Sequence, residues 1–445
     1  MTLKRADIYE VFKEKGQPTV TYVDRDGGAL KTQLSRGIDS KGTICLLTGP
    51  SKTGKTTLRT EVVKLKKLDV IVVQCEPQFE AVDFWKAALK QVNHEEVKSR
   101  SITNDKKFQS SADVGAGFKF LATLTSKLSG GMQTAHSETE QRDKIVPKES
   151  PALLLPALKK SQQLLVVENF HYLKADVQEI VFKQMKPFVD DEISIIVIGT
   201  THHAEDLVKA NPDLLGHIRH IEIENWSPQD LKQIAQKGFN YLHVDIHEEL
   251  IEMIANESVG LPIITQQVCR QLLENELGDA DELTQSTHLT QNALSTALHG
   301  VATTNYGLYA QVYERFVRGP REQARNYNTY DVVLQTFKRE PLKFSLTRKE
   351  IDERINTLKS ISPSPKDFPP PGSVKAMLDA IGPFQERLSK PLLEWRSQDQ
   401  RLHVLEPGFL FYLRWKDKAH IDQKMSPSQG DFFSEMFQRL RSRST

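Results

Sequence analysis

The sequence predicts an α/β fold: a P-loop core with a parallel sheet, followed by a helical lid and a winged helix. Three observations carry this. The stretch Thr43–Leu58 reads TICLLTGPSKTGKTTL, an apolar run that ends at a glycine and leads through G-x-x-x-x-G-K-T into a helical pattern. Apolar runs of strand length then alternate with helix-length segments up to about Ile223. From Trp226 onward the pattern turns helical, and near the C-terminus it closes with two short strand-like runs.

Bulk properties set wide bounds. A chain of 445 residues is long enough for several buried cores. Hydrophobic content of 38% and charged content of 26% are those of a globular protein. The net charge of +1 gives no global attraction to nucleic acid or anionic lipid. The three cysteines, Cys45, Cys75 and Cys269, lie far apart and read as buried thiols in a reducing compartment. The opening MTLKRADIYEVF lacks a signal peptide's apolar centre, and no run reaches transmembrane length, so a cytoplasmic location is expected and a membrane partner is not.

Residues 1–42 form an N-terminal segment in which Leu30, Leu34 and Ile38, at helical spacing, lead toward the first strand. The core is expected over residues 43–225. Its first strand holds Ile44–Leu47, and a helix follows from about Thr56 to Lys67. Next come the strand Val70–Gln74 and a helix over Ala81–Val92. Residues 94–150 break this rhythm with a polar insertion. Within it Val114–Leu124 alternates, and Gly130-Gly131 offers a turn, so the insertion reads either as a β-hairpin or as a surface loop. The alternation resumes with a helix near Pro151–Gln163, the strand Leu164–Asn169, a helix over Ala175–Val189, the strand Ile193–Gly199, another helix and the strand Arg219–Ile223. Strands joined by helical connections imply a parallel sheet covered on both faces.

The lid is expected over residues 226–300. Ser227-Pro228 supplies an N-cap and a first-turn proline, and helices are expected near Pro228–Phe239, His247–Asn256 and Pro262–Asn275. The polar stretch Gly278–Thr287 reads as a connector. Residues 301–420 carry helices at Tyr306–Arg318 and Tyr330–Lys338, a helix through Ile355 opened by a Thr347/Glu350 capping box, and a helix at Ser373–Ile381. Strands follow at Leu392–Trp395 and Arg401–Leu405. Helices followed by a two-stranded wing give the winged-helix order. A tail, residues 421–445, carries Phe432, Phe433, Met436, Phe437 and Leu440 at helical spacing.

The loop Gly49, Pro50, Ser51, Lys52, Thr53, Gly54, Lys55, Thr56, with Thr57 behind it, has the chemistry of a triphosphate cradle. Its glycines let backbone N–H groups turn toward phosphate oxygens, Lys55 reaches the β- and γ-phosphates, and Thr56 offers a hydroxyl to Mg²⁺. ATP and Mg²⁺ are therefore the expected ligands. Such a site needs an acid at the end of a neighbouring strand, and Glu168 stands there as the second Mg²⁺ residue. Asn169 occupies the place of a water-activating carboxylate, and an amide orients water without taking its proton. Thr200, at the tip of the next strand, is placed to meet the γ-phosphate or the attacking water. Arg219 reads equally as a residue that reaches a neighbouring subunit's nucleotide or as the partner of a surface acid.

The order of Tyr22-Val23-Asp24-Arg25, GPSKTGKT, LLVVEN, IVIGTT, Gly260-Leu261-Pro262 and a winged helix resembles the STAND class of AAA+-related ATPases. It is similar also to Orc/Cdc6-type and transposition-type AAA+ proteins. The resemblance implies that Tyr22, Val23 and Arg25 pack around adenine, that Pro262 contacts adenine from the lid, and that Arg219 lies near an arginine-finger position. His202-His203 and Glu168-Asn169 depart from the pattern and point to slow turnover. Two functions follow. The first is a nucleotide-dependent switch or assembly ATPase, a homo-oligomer working with a separate effector or sensor protein. For this family the setting is bacterial signalling or anti-phage defence. The second is a DNA-binding ATPase that uses its winged helix, for which Lys338-Arg339, Lys343, Arg348-Lys349 and Arg354 form a basic cluster that Glu340, Glu350, Asp352 and Glu353 dilute.

Overall fold

The computed structural model describes residues 3–92, 151–161, 163–199, 212–283, 289–320, 327–362, 364–386 and 391–417. The 94–150 insertion, Thr200 to His203 and the 421–445 tail lie outside the described residues. The chain separates into two compact units. One holds Asp24–Gly49 and Gly54–Glu224, and the other Met1–Val23, Pro50–Thr53 and Asn225–Thr445.

The chain starts with a two-residue strand, β1 (Leu3–Lys4), which belongs to the second unit. The first unit is built on five strands: β2 (Ile44–Thr48), β3 (Val70–Gln74), β4 (Leu164–Glu168), β5 (Ile195–Ile198) and β6 (Ile218–Glu222). They pair in parallel in the order β3-β4-β5-β2-β6. All five residues of β2 and of β4 are buried, as expected of central strands covered on both faces. One face packs Phe84, Trp85, Phe182 and Phe188 from the covering helices, and the other packs Leu34, Ile38 and Val62. Burial pushes the Cys45 and Cys75 thiols up to about 12, so both behave as inert core groups.

The helix expected over Ala175–Val189 is two helices, Ala175–Lys183 and Lys186–Asp190. Pro187 has no N–H to offer the turn before it, and the chain restarts with the proline in the first turn of the second helix.

The second unit is mainly helical. Helices Pro228–Tyr241, Glu248–Glu257 and Pro262–Leu277 lie close to their expected places. The Ser227 side chain accepts from the Asp230 N–H, so the predicted cap is made. The connector after Leu277 contains β7 (Glu282–Leu283), which pairs antiparallel with β1. A helix at Gln291–Thr304, capped by Thr290, had no sequence counterpart.

Beyond it, the helices Thr329–Phe337, Arg348–Ile361 and Pro371–Gln385 stand with three short strands. These are β8 (Ser345–Thr347), β9 (Leu393–Arg396) and β10 (Arg401–Val404), paired antiparallel in the order β8-β10-β9. The order helix, strand, helix, helix, strand, strand is that of a winged helix. The sequence reading lacked β8, which is only three residues long and merges into the Thr347 cap, and the closing helix Pro407–Trp415.

Buried ions join two parts of this unit. Arg414, 4% exposed, pairs with Glu257, 1% exposed, at 2.7 Å, and the indole of Trp415 donates to the same carboxylate at 2.8 Å. The last helix is thereby fixed to the end of Glu248–Glu257.

Candidate nucleotide-binding site

In a parallel sheet, ligands sit beyond the carboxyl ends of the strands, where the strand order changes direction. Here β2 lies between β5 and β6 and runs directly into Gly49–Thr56. Gly49 has φ +142°, and a Cβ on it would stand 2.0 Å from the Ile223 carbonyl oxygen. Only glycine fits between the two strand ends there. Gly54, at φ +92°, takes the left-handed conformation that opens the helix Lys55–Lys66. The amide end of that helix is the dipole end that favours phosphate.

Lys55 sits at the mouth of the loop, and its ammonium donates to the Gly49 carbonyl at 2.9 Å. Burial lowers its pKa to about 8, which raises the benefit of an anion beside it. At the loop tip, the Thr53 hydroxyl donates to the Pro50 carbonyl at 2.9 Å, and the Thr53 carbonyl accepts from the Trp226 indole at 2.9 Å. Lys52 stands over the Tyr306 ring, 5.2 Å from its centroid. Ser51, Lys52 and Thr56 are exposed, and Thr57 is half-buried.

Glu168 ends β4 as expected, 6% exposed. Its carboxylate is engaged by Arg59, one turn after Lys55, and by the Gln74 amide, which donates to the other oxygen at 3.2 Å. Asn169, at φ +58°, donates to Gln74 at 3.1 Å. Sequence reading missed Arg59 and Gln74. Gln74 had only its place as the last residue of a strand-length run; the register of β3 with β4 sets it beside Glu168. Arg59 had none beyond lying four residues past Lys55. Also missed was His220, whose ring pairs with the Thr48 hydroxyl at 2.7 Å just before the loop.

The remaining candidates fall in other surroundings. Arg25 donates to the Glu224 carbonyl at 2.6 Å and pairs with Asp26. In the helical unit, Val23 packs with Leu231, Ile234 and Ala255, and the Tyr22 carbonyl accepts from Lys237. Pro262 opens its helix behind Gly260. Arg219 is the second residue of β6, opposite Cys45 and against Gly37, so it is not among the groups gathered at the strand ends. Thr200 is outside the described residues.

The donor set suits Mg²⁺. One hydroxyl, on Thr56, and one carboxylate, on Glu168, leave most positions to water and phosphate oxygens, as this small cation prefers. When bound, the ion would draw charge from the β- and γ-phosphates. The groups this chain offers to phosphates there are the Lys55 ammonium and the loop amides.

The basic cluster expected near the wing is largely paired. Arg354 donates to the carbonyls of Thr336, Arg339 and Pro341. Lys343 pairs with Glu350, Arg348 with Asp352 and Lys349 with Glu353.

Residues 38–208 match the AAA domain family. This segment, with its loop, strand-end acid and four of the five parallel strands, is an AAA-type P-loop ATPase domain. Among curated proteins, the chain is 29% identical over 147 residues to the Holliday junction branch migration complex subunit RuvB of a Nitratiruptor species. The match spans 29% of this chain and 43% of that protein, less than half of the relative's length. Among solved structures, it is similar to a Walker-type ATPase of Pyrococcus abyssi, with a TM-score of 0.48, 13% identity and coverage of 91% of this chain and 99% of that one. It is also similar to Cdc6p of Pyrobaculum aerophilum, with a TM-score of 0.41, 12% identity and coverage of 93% and 98%. Among the described residues, no helix is long and apolar enough to cross a membrane.

Proposed function

We propose that this chain is an ATP-dependent molecular switch that binds Mg²⁺·ATP tightly, hydrolyses it slowly and assembles into a homo-oligomer in the bound state. The observation that carries the reading is the loop tip. Thr53 is hydrogen-bonded to Trp226 and Lys52 lies over Tyr306, so the segment that wraps the phosphates is also packed among the helices that follow the core. A ligand shifts a conformational equilibrium only through groups that differ between the states, and this segment is such a group. Slow turnover follows from Asn169, whose amide cannot accept a proton from water. Tyr22, Val23, Arg25 and Pro262 are proposed to hold adenine, Thr200 to meet the γ-phosphate, and Arg219 to act across subunits. A separate effector or sensor protein completes the proposed system, in the signalling or antiviral setting of STAND-class proteins.

Sedimentation of the purified protein with and without Mg²⁺·ATP, beside Lys55→Ala, tests this. The expected result is a larger species that appears only for the wild-type protein with nucleotide. A single unchanged species in every condition defeats the assembly reading.

A second reading, a DNA-binding ATPase, is favoured by the similarity to a branch-migration subunit. The pairing of Lys343, Arg348, Lys349 and Arg354 counts against a free phosphate-binding face. Duplex titration at low and moderate salt separates the two, because phosphate binding weakens steeply with salt.

A further inference from the structure

The Glu168 carboxylate has both oxygens engaged, one by the Arg59 guanidinium and one by Gln74. Arg59 reaches it from the helix that starts at the phosphate loop, so its position is tied to Lys55 and Thr56 through a single turn. The pair is nearly out of water, with side-chain exposures of 12% for Arg59 and 8% for Glu168. The guanidinium is held at one end only: its Nε is buried and has no hydrogen-bond partner. A two-pronged arginine clamp would resist exchange, whereas a pair made through Nη2 alone leaves a donor unspent.

A dication and a guanidinium seek the same thing from Glu168, its negative charge. They also repel each other across a poorly solvated space. We infer that Arg59 is a positioning residue that competes with Mg²⁺ for Glu168 and so sets how much Mg²⁺ the nucleotide site requires. The inference rests on the reading of Glu168 as the Mg²⁺ acid. With Mg²⁺·ATP bound, the guanidinium would release the carboxylate, leaving its Nη2 and the unspent Nε free for other acceptors. Gln74 remains with Glu168 and Asn169, because its amide contributes no charge to the contest.

The test is a Mg²⁺ titration at fixed concentration of a fluorescent ATP analogue, read as bound analogue and not as turnover. Arg59→Gln is expected to reach half-saturation at about five- to tenfold lower Mg²⁺ than the wild-type protein. Arg59→Lys keeps the charge and is expected to stay near the wild-type midpoint. Glu168→Gln is expected to need at least about tenfold more Mg²⁺. Analogue binding in EDTA and a thermal melt show that each variant is folded, and Arg59→Met replaces Arg59→Gln if the latter does not fold. An unchanged midpoint in the neutral Arg59 variants, while Glu168→Gln shifts, overturns the inference alone. If Glu168→Gln also leaves the midpoint unchanged, the magnesium reading of Glu168 falls and the inference falls with it.

Discussion

Lys55 is the residue at which charge and burial are most plainly opposed. Its pKa stands near 8 against an ordinary 10.5, because burial disfavours the ammonium. The folded chain therefore holds fewer protons than the unfolded chain between about pH 8 and 10.5, and this group's contribution to stability rises across that window. Below pH 8 the buried charge costs on the order of 3 kcal/mol without an anion beside it. Lys55→Met should accordingly be more stable than the wild-type protein near pH 7 in nucleotide-free buffer, with the difference shrinking toward pH 10.5 in denaturant melts. The same variant should lose nucleotide binding. Gly49→Ala should destabilise the fold by roughly 2 kcal/mol or more, since the new methyl meets the Ile223 carbonyl and the backbone sits at a positive φ. Chemical denaturation of that variant checks this.

These residues also show how much could be read beforehand. Gly49, Lys55, Thr56 and Glu168 announce themselves because phosphate chemistry demands particular residue types at fixed spacing. Arg59 and His220 carry no such spacing. Arg59 matters through a carboxylate more than a hundred residues away, and only the register of β3 with β4 brings Gln74 beside the same acid. Long-range pairing of this kind leaves no local periodicity to detect. Near the wing, both the cations and the acids that dilute them are plain in the sequence, while which acid or carbonyl each cation meets is fixed only by folding.

At the scale of elements, two devices hold the C-terminal helices in place. The Thr347/Glu350 capping box is complete, with both reciprocal hydrogen bonds made. Thr347→Ala should lower stability by about 1 kcal/mol. Hydrogen bonding from Lys343 and then from Thr347 holds the Glu350 carboxyl down to about 2. Its folded pKa lies below the unfolded value, so the contribution is fully present above about pH 4.5 and is lost as pH falls through 2. A melt series between about pH 2 and 6 on the wild-type protein and Glu350→Gln should show the two converge at the acid end. The second device is the buried Glu257–Arg414 pair. Removing one partner strands a charge, so Arg414→Met should cost about 3–5 kcal/mol, whereas the double variant Glu257→Leu/Arg414→Met should recover only part of that, because the Trp415 indole loses its acceptor. Element boundaries were mostly legible to within a few residues because apolar spacing and caps mark them. The strands β1, β7 and β8 were not, since strands of two or three residues have too few positions for a pattern.

At the scale of the molecule, the chain passes between its two units at the phosphate loop itself, leaving the first at Gly49 and re-entering it at Gly54. The four residues between, Pro50–Thr53, are covalently part of the loop and pack with the helices that follow Asn225. On the proposed reading, a rearrangement of the loop around phosphate would disturb the Thr53–Trp226 hydrogen bond. Replacing Trp226 with Phe removes the donor and keeps the ring. It is therefore expected to leave Mg²⁺·ATP binding within a few-fold of wild type and to weaken nucleotide-dependent assembly, both measurable by sedimentation and analogue titration.

The Trp226–Thr53 hydrogen bond also makes the protein its own optical sensor. An indole whose N–H is tied to a phosphate-loop carbonyl changes its emission when that carbonyl moves, so nucleotide entry should be visible without any attached label. The chain has four tryptophans; of the others, Trp85 donates to Gln184 and Trp415 to Glu257, and these should supply a steady background. Stopped-flow tryptophan emission, with Trp226→Phe as the dark control, would then time nucleotide entry from the protein's own light.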